Sequence, residues 1–174
     1  MLPEQFCVRM KEMLGEEYAA FYASYDLPKY QALRINPLKT ERDTFLLQAP
    51  FSLNRVPWTT NGYYYSGNDQ PGRHPYHEAG VYYIQEPSAM APAEYLMAEP
   101  GERILDLCAA PGGKSTQIAC SMQGEGLIVC NEIHPARAKI LSENIERMGV
   151  CNALVTNETP QKLSDNFREY FDRI

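Results

Sequence analysis

The stretch Ile104-Leu105-Asp106-Leu107-Cys108-Ala109-Ala110-Pro111-Gly112-Gly113-Lys114-Ser115 constrains this chain more than any other part of it. An apolar run ends in an acid, a turn of small residues follows, and Lys114-Ser115-Thr116 opens a helical pattern. This reads as a strand, a ligand-facing turn and a helix. Small residues let a ligand approach the backbone closely, and the free amides at the helix start favour a negatively charged group. The pattern then repeats. Gly126-Leu127-Ile128-Val129-Cys130-Asn131 reads as a second buried strand, and Pro135 to Arg147, apolar at Ala138, Ile140, Leu141 and Ile145, as an amphipathic helix closed by Gly149. Ala153-Leu154-Val155-Thr156 reads as a third strand. Strands alternating with helices predict an α/β fold with a parallel sheet and ligand at the strands' carboxyl ends.

Spacing separates the ligands such a turn can hold. A phosphate-cradling P-loop needs Gly, four residues, then Gly-Lys-Ser/Thr; here Gly113-Lys114-Ser115 fits, but Cys108 stands in the leading position. Pro111 also removes one backbone donor. A dinucleotide fingerprint needs G-x-G-x-x-G, whereas Gly112 and Gly113 are adjacent. What remains is a turn whose amides can hold a carboxylate with Lys114 nearby, which suits the zwitterionic tail of S-adenosylmethionine. Glu132, 26 residues after Asp106, stands at the end of the second strand, where an acid accepts hydrogen bonds from ribose hydroxyls. Asn157 and Glu158 follow the third strand, placed to meet an adenine edge. Each residue has a plainer explanation alone: Asp106 as a strand-end cap, Lys114 as a solvated helix start, Glu132 as a surface acid, Arg137 as partner to Glu132 or Glu143. Their joint spacing favours the site.

Asp106-x-Cys108-Ala109-Ala110-Pro111-Gly112-Gly113-Lys114 resembles the cofactor motif of RNA (cytosine-5)-methyltransferases, the family of bacterial small-subunit rRNA enzymes and their eukaryotic relatives. Tyr83-Ile84-Gln85-Glu86-Pro87-Ser88-Ala89-Met90 is similar to the segment preceding that motif in the bacterial rRNA branch, and Arg34-Ile35-Asn36-Pro37-Leu38-Lys39 resembles the family's N-terminal RNA-associated region. The resemblance implies the first half of a Rossmann-like class I methyltransferase domain, residues 83–174, preceded by a small α+β RNA-associated domain, residues 1–82. It implies S-adenosyl-L-methionine as cofactor, held by Asp106, Cys108, Ala109, Ala110, Pro111, Gly112, Gly113, Lys114, Glu132, Arg137 and Asn157. At Asn157 the chain departs from the pattern, since the family commonly carries an Asp nearby. It implies RNA as partner, rRNA ahead of tRNA, with Arg34 and Lys39 as RNA contacts.

Cytosine C5 is a poor nucleophile, so its methylation requires a thiolate that adds at C6 and makes C5 enamine-like. In the resembling family the nucleophile and a second, product-releasing cysteine lie beyond a fourth strand. Here Phe171-Asp172-Arg173-Ile174 stands where that strand would begin, and no Pro-Cys or Thr-Cys pair occurs in the 174 residues. Cys108 reads as a small packing residue, Cys7, Cys120 and Cys130 as small buried hydrophobes, and Cys151 as a loop residue. No catalytic residue is assigned, and the chain alone is expected to transfer no methyl group. Two rivals remain: a P-loop-like nucleotide hydrolase and a non-catalytic RNA-binding module.

The five cysteines form no metal or disulfide spacing and fit a reducing cytoplasm; no apolar stretch nears 18 residues, so no membrane span is expected. The net charge of −6 is unusual for an RNA binder. The deficit lies late: residues 1–84 carry 8 bases and 9 acids, residues 85–174 carry 8 and 13. The first part therefore retains material for a basic face in Arg34, Lys39, Arg42, Arg55 and Arg73. Pro3 to Tyr25 reads as one amphipathic helix, Leu33-Arg34-Ile35 as a short strand, and Thr40 with Asp43 as a helix start close to a capping box. Trp58 and Tyr63-Tyr64-Tyr65 read as half-buried core rather than base-stacking aromatics, and His74 and His77 as structural. Half a sheet leaves an open edge, which is expected to favour self-association.

Overall fold

The computed structural model describes residues 2–174, and the chain divides into two compact units, one ending at Tyr30 and the other spanning Gln31–Ile174. In the first, helices α1 (Glu4–Leu14) and α2 (Tyr18–Ala23) replace the single helix expected over Pro3 to Tyr25. The break is Gly15, whose positive φ of 52° is one that glycine adopts freely and other residues rarely do. Neither helix buries a residue fully; Phe6 of α1 meets Phe21 of α2 with ring centroids 6.2 Å apart, and Phe21 meets Tyr25 at 5.4 Å.

The second unit begins with β1 (Ala32–Ile35), α3 (Arg42–Gln48), β2 (Leu53–Arg55), β3 (Gly62–Tyr65), α4 (Pro75–Glu78) and β4 (Tyr82–Ile84). The strands form an antiparallel sheet in the order β2-β3-β1-β4. Leu33, Ile35, Phe45, Tyr63 and Tyr82 form its core, so Tyr63 is core as expected, while Trp58 stays partly exposed and donates its Nε1 to the Pro87 carbonyl at 3.0 Å. The capping box is not formed: α3 starts after Glu41, which makes no side-chain cap bond. His74 is structural, its Nδ1 accepting the Tyr76 amide at the start of α4.

The chain continues through α5 (Pro87–Leu96), β5 (Arg103–Asp106), α6 (Gly113–Met122), β6 (Leu127–Asn131), α7 (Pro135–Met148), β7 (Ala153–Thr156) and α8 (Pro160–Asn166). The three strands form a parallel sheet in the order β5-β6-β7, with Asp106 opposite Cys130 and Cys130 opposite Val155. Alternation sends Ile104, Ile128 and Cys130 into a core with Ile118, Met122, Leu141 and Ile145, and sends Leu105 and Val129 to the other face against Leu163. Ile140, expected on the buried stripe of α7, is 47% exposed, and Met148 occupies the core instead.

The last residues settle on the free edge of β5. Ile104 and Arg173 form a parallel bridge, with the Leu105 amide donating to the Arg173 carbonyl at 3.0 Å and the Asp172 amide to the Arg103 carbonyl at 2.8 Å. This last segment pairs with β5 through a single isolated bridge, on the side opposite β6. Among the described residues no helix is long and apolar enough to cross a membrane, and no cluster of His, Cys, Asp or Glu could hold a metal.

Candidate functional site

The turn after β5 is fixed from several directions. The Ala109 amide donates to the Asn131 carbonyl at 2.8 Å and the Gly112 amide to the Ala109 carbonyl at 2.8 Å. From α7, Arg137 Nη2 donates to the Ala110 carbonyl and Asn144 Nδ2 to the Pro111 carbonyl, each at 2.8 Å. The Ala110–Pro111 peptide is cis. Gly112 has a φ of 111°, and a Cβ there would sit 3.3 Å from Leu141 Cδ1, so the position tolerates glycine alone without strain. Ser115 Oγ donates to Asp106 Oδ2 at 2.7 Å, tying the strand-end acid to the first turn of α6. The opening amides of that helix, Gly113 to Ser115, have no acceptor within it.

A cleft of about 250 Å³ lies against this turn, lined by Asp106, Cys108, Ala109, Ala110, Pro111, Gly113 and Lys114. Its opposite wall is Tyr83, Ile84, Gln85, Glu86 and Ala89, from β4 and the start of α5. Lys114 and Cys108 are exposed on it. The structure thus brings these sequence-derived residues together, with Gly112 buried directly behind them.

Glu132, Arg137 and Asn157 are joined to the turn without lining the cleft. Glu132 is 3% exposed; its Oε1 accepts the His134 amide at 3.0 Å, and its Oε2 lies 3.3 Å from Arg137 Nη1. Arg137, half exposed, therefore bridges Glu132 and the Ala110 carbonyl. Asn157 donates from Nδ2 to the Glu132 carbonyl at 2.6 Å.

The expected RNA contact at Arg34 is corrected by its burial. At 2% exposure it is the largest fully buried side chain, and its guanidinium donates inward to Gly113, Thr116, Gln85 and Gln117, so no phosphate reaches it. Burial pulls its pKa down from the usual arginine value. Lys39 stays exposed while its Nζ donates to the Ala79 and Arg147 carbonyls, each at 2.7 Å.

Two contributors escaped the sequence reading. Asn131, 1% exposed, ends β6 and ties three strands together: Nδ2 donates to the Leu107 and Glu158 carbonyls, and Oδ1 accepts from Thr156 Oγ1 and the Glu158 amide. A polar residue closing an otherwise apolar strand was the available signal. Tyr83 is the other; burial raises its pKa, partly opposed by Arg34 and Arg147. Of the cysteines, Cys130 is buried with its thiol pushed up to about 12, Cys7 and Cys120 are half-buried, and Cys108 and Cys151 are exposed.

Two family models cover nearly all of this chain. Residues 2–87 match the N-terminal domain of 16S rRNA methyltransferase RsmF, and residues 93–174 match 16S rRNA methyltransferase RsmB/F. The chain belongs to the RsmB/F family. Among curated relatives, ribosomal RNA small subunit methyltransferase F of Enterobacter sp. (strain 638) is 36% identical and that of Citrobacter koseri 37%, each over 99% of this chain. The chain spans 38% of the length of either. A methyltransferase homolog protein from Pyrococcus horikoshii superposes with a TM-score of 0.82 at 27% identity, over 95% of this chain and 55% of its own. NSun6 from the same organism, 19% identical with a TM-score of 0.80 over 94% of this chain and 67% of its own, shares the fold. The RsmB/F half here carries three parallel strands of the Rossmann-like methyltransferase fold.

Proposed function

We propose that this chain is the cofactor-binding portion of an S-adenosylmethionine-dependent rRNA methyltransferase acting at cytosine C5. The observation that carries this is the cleft at the carboxyl end of β5, walled by Asp106 to Lys114 and backed by Gly112. Its donor set fits the cofactor's tail: unpaired amides at the head of α6 and the exposed Lys114 ammonium suit a carboxylate, and Asp106 and Glu86 suit an ammonium. Glu132 and Asn157 would meet the nucleoside end once Arg137 swings off the Glu132 carboxylate. The bound cofactor supplies an electrophilic methyl group; the residues of this chain hold and orient it.

Residues 83–174 would form the cofactor domain and residues 1–82 the RNA-associated one. With Arg34 buried, RNA phosphates would fall to exposed cations of the antiparallel sheet and its loops, such as Arg55 and Arg73 beside Lys39. C5 methylation needs a thiolate at C6. Cys108 is exposed at the cleft, but it sits on the wall assigned to the cofactor tail, so the nucleophile would come from the part of the relatives that this chain does not span.

Calorimetric titration with S-adenosylhomocysteine and with ATP tests the reading. Binding of the first, weakened by Asp106→Asn, is expected; magnesium-dependent ATP binding abolished by Lys114→Ala would replace it with a nucleotide hydrolase. RNA affinity indifferent to S-adenosylhomocysteine would leave a non-catalytic RNA module. The purified chain is expected to form no 5-methylcytosine by itself.

A further inference from the structure

Arg34 is charged, fully buried, and spends its donors on the cofactor turn from behind. Nη1 donates to the Gly113 carbonyl at 2.6 Å and to Gln85 Oε1, and Nη2 donates to Thr116 Oγ1 at 2.8 Å. Thr116 Oγ1 in turn donates to the Gly112 carbonyl at 2.7 Å. The guanidinium also stacks on Tyr83, its carbon 5.5 Å from the ring centroid, and Arg147 of α7 sits 5.5 Å from the same ring. Tyr83 reaches the turn directly, donating from Oη to the Pro111 carbonyl at 3.4 Å, and a Cβ on Gly113 would lie 3.4 Å from its ring.

These contacts converge on the two glycines that shape the cleft. A guanidinium with no carboxylate among its hydrogen-bond partners, and with Nε left without a partner, is a costly group to bury for packing alone. A planar fork donates to Gly113 and Gln85 from one nitrogen and to Thr116 from the other in a fixed geometry, whereas a lysine ammonium has a single nitrogen with freely rotating donors. We infer that Arg34 is a positioning residue: the antiparallel sheet sets the shape of the cofactor turn through Arg34 and Tyr83, so affinity for the cofactor's amino-acid tail depends on a residue that never touches it. The inference rests on the cleft being the cofactor site.

The test uses the whole chain, comparing calorimetric affinities for S-adenosylhomocysteine and for 5′-methylthioadenosine, which lacks the amino-acid tail, in the wild type, Arg34→Lys and Thr116→Val. Loss of charge-assisted bonds to the turn is expected to weaken S-adenosylhomocysteine about tenfold in Arg34→Lys and roughly threefold in Thr116→Val, with methylthioadenosine changed less than about twofold. A merely structural role would weaken both ligands together, and that result, or no change in either, overturns the inference. Should Arg34→Lys fail to fold, Thr116→Val decides by the same ratio. If the wild type binds neither ligand while circular dichroism shows it folded, the cofactor reading itself fails, and the inference falls with it.

Discussion

The two sheets of the second unit solve the problem of an interior in opposite ways. The parallel sheet is apolar on both faces along its length, and the turn at its carboxyl end is shaped by a glycine with positive φ and by paired backbone amides, held from outside by Arg137 and Asn144 and closed by Asn131. The antiparallel sheet places polar side chains inside. Arg34 reaches α6, and Asn36 Nδ2 donates to the Gly80 and Met148 carbonyls at 2.8 Å each. A cleft built from backbone needs small residues at fixed places; the wall behind it needs particular polar groups, because an unmet buried carbonyl or amide costs more than a lost apolar contact.

The largest expected effect lies where the two systems join. Gly80 has a φ of 69°, and a Cβ would stand 2.0 Å from the Arg147 carbonyl oxygen. Gly80→Ala must displace α7 or the loop before β4, and is expected to cost about 3 kcal/mol or more by chemical denaturation. Stability within 1 kcal/mol or so of the wild type would show that the two sheets are not rigidly coupled. Next comes Asn131→Leu, similar in size but unable to satisfy Leu107, Thr156 and Glu158; a loss of about 2 kcal/mol is expected. If that substitution proves neutral, the carboxyl end of the parallel sheet does not depend on its one buried amide side chain, and the contrast narrows.

Chemical labelling sharpens the contrast without altering stability. Cys108 and Cys151 are exposed and should alkylate readily, whereas Cys130, whose thiol burial pushes up to about 12, should react only on unfolding. S-adenosylhomocysteine should slow alkylation of Cys108 and leave Cys151 unchanged. Equal protection of both would place the ligand elsewhere.

Legibility in the sequence followed the same divide. The strands at 127–131 and 153–156 and the turn at 107–112 were readable because apolar runs, small residues and spacing are local signals. Arg34 was misread because an arginine looks alike in sequence whether it meets phosphate or a buried carbonyl; only the fold brings it to Gly113, 79 positions away. Ile140 fits a helical stripe by period yet is exposed, while Met148, about one turn beyond the expected stripe's end, is buried. The split at Gly15 was visible as a glycine, but nothing nearby fixed its φ. Glu132 was correctly placed at a strand end, while its closure under Arg137 depends on a side-chain rotamer that sequence does not encode.

The smallest effect concerns the one strand pairing held by charge. The last residues meet the edge of β5 through Arg173 Nε on Glu102 at 2.8 Å and through Asp172, which accepts the Arg103 amide at 2.7 Å. The Arg173 hydrogen bond holds the Glu102 carboxyl below its usual pKa, and the Arg103 amide bond does the same for Asp172. Both folded values are depressed, so their contribution is fully present above the unfolded range near 4 and is lost as pH falls through the lowered values. Asp172 is exposed and Glu102 partly covered, both at the sheet edge, so the effect should be local. The protection of the Leu105 amide, whose N–H binds the Arg173 carbonyl, relative to its intrinsic exchange rate should therefore fall below about pH 4, while Val129 within β6 keeps its protection. Glu102→Gln should reproduce much of that loosening at neutral pH. Parallel loss at Leu105 and Val129 would mean that this edge is not separately held, and that backbone pairing governs the bridge and the three strands alike.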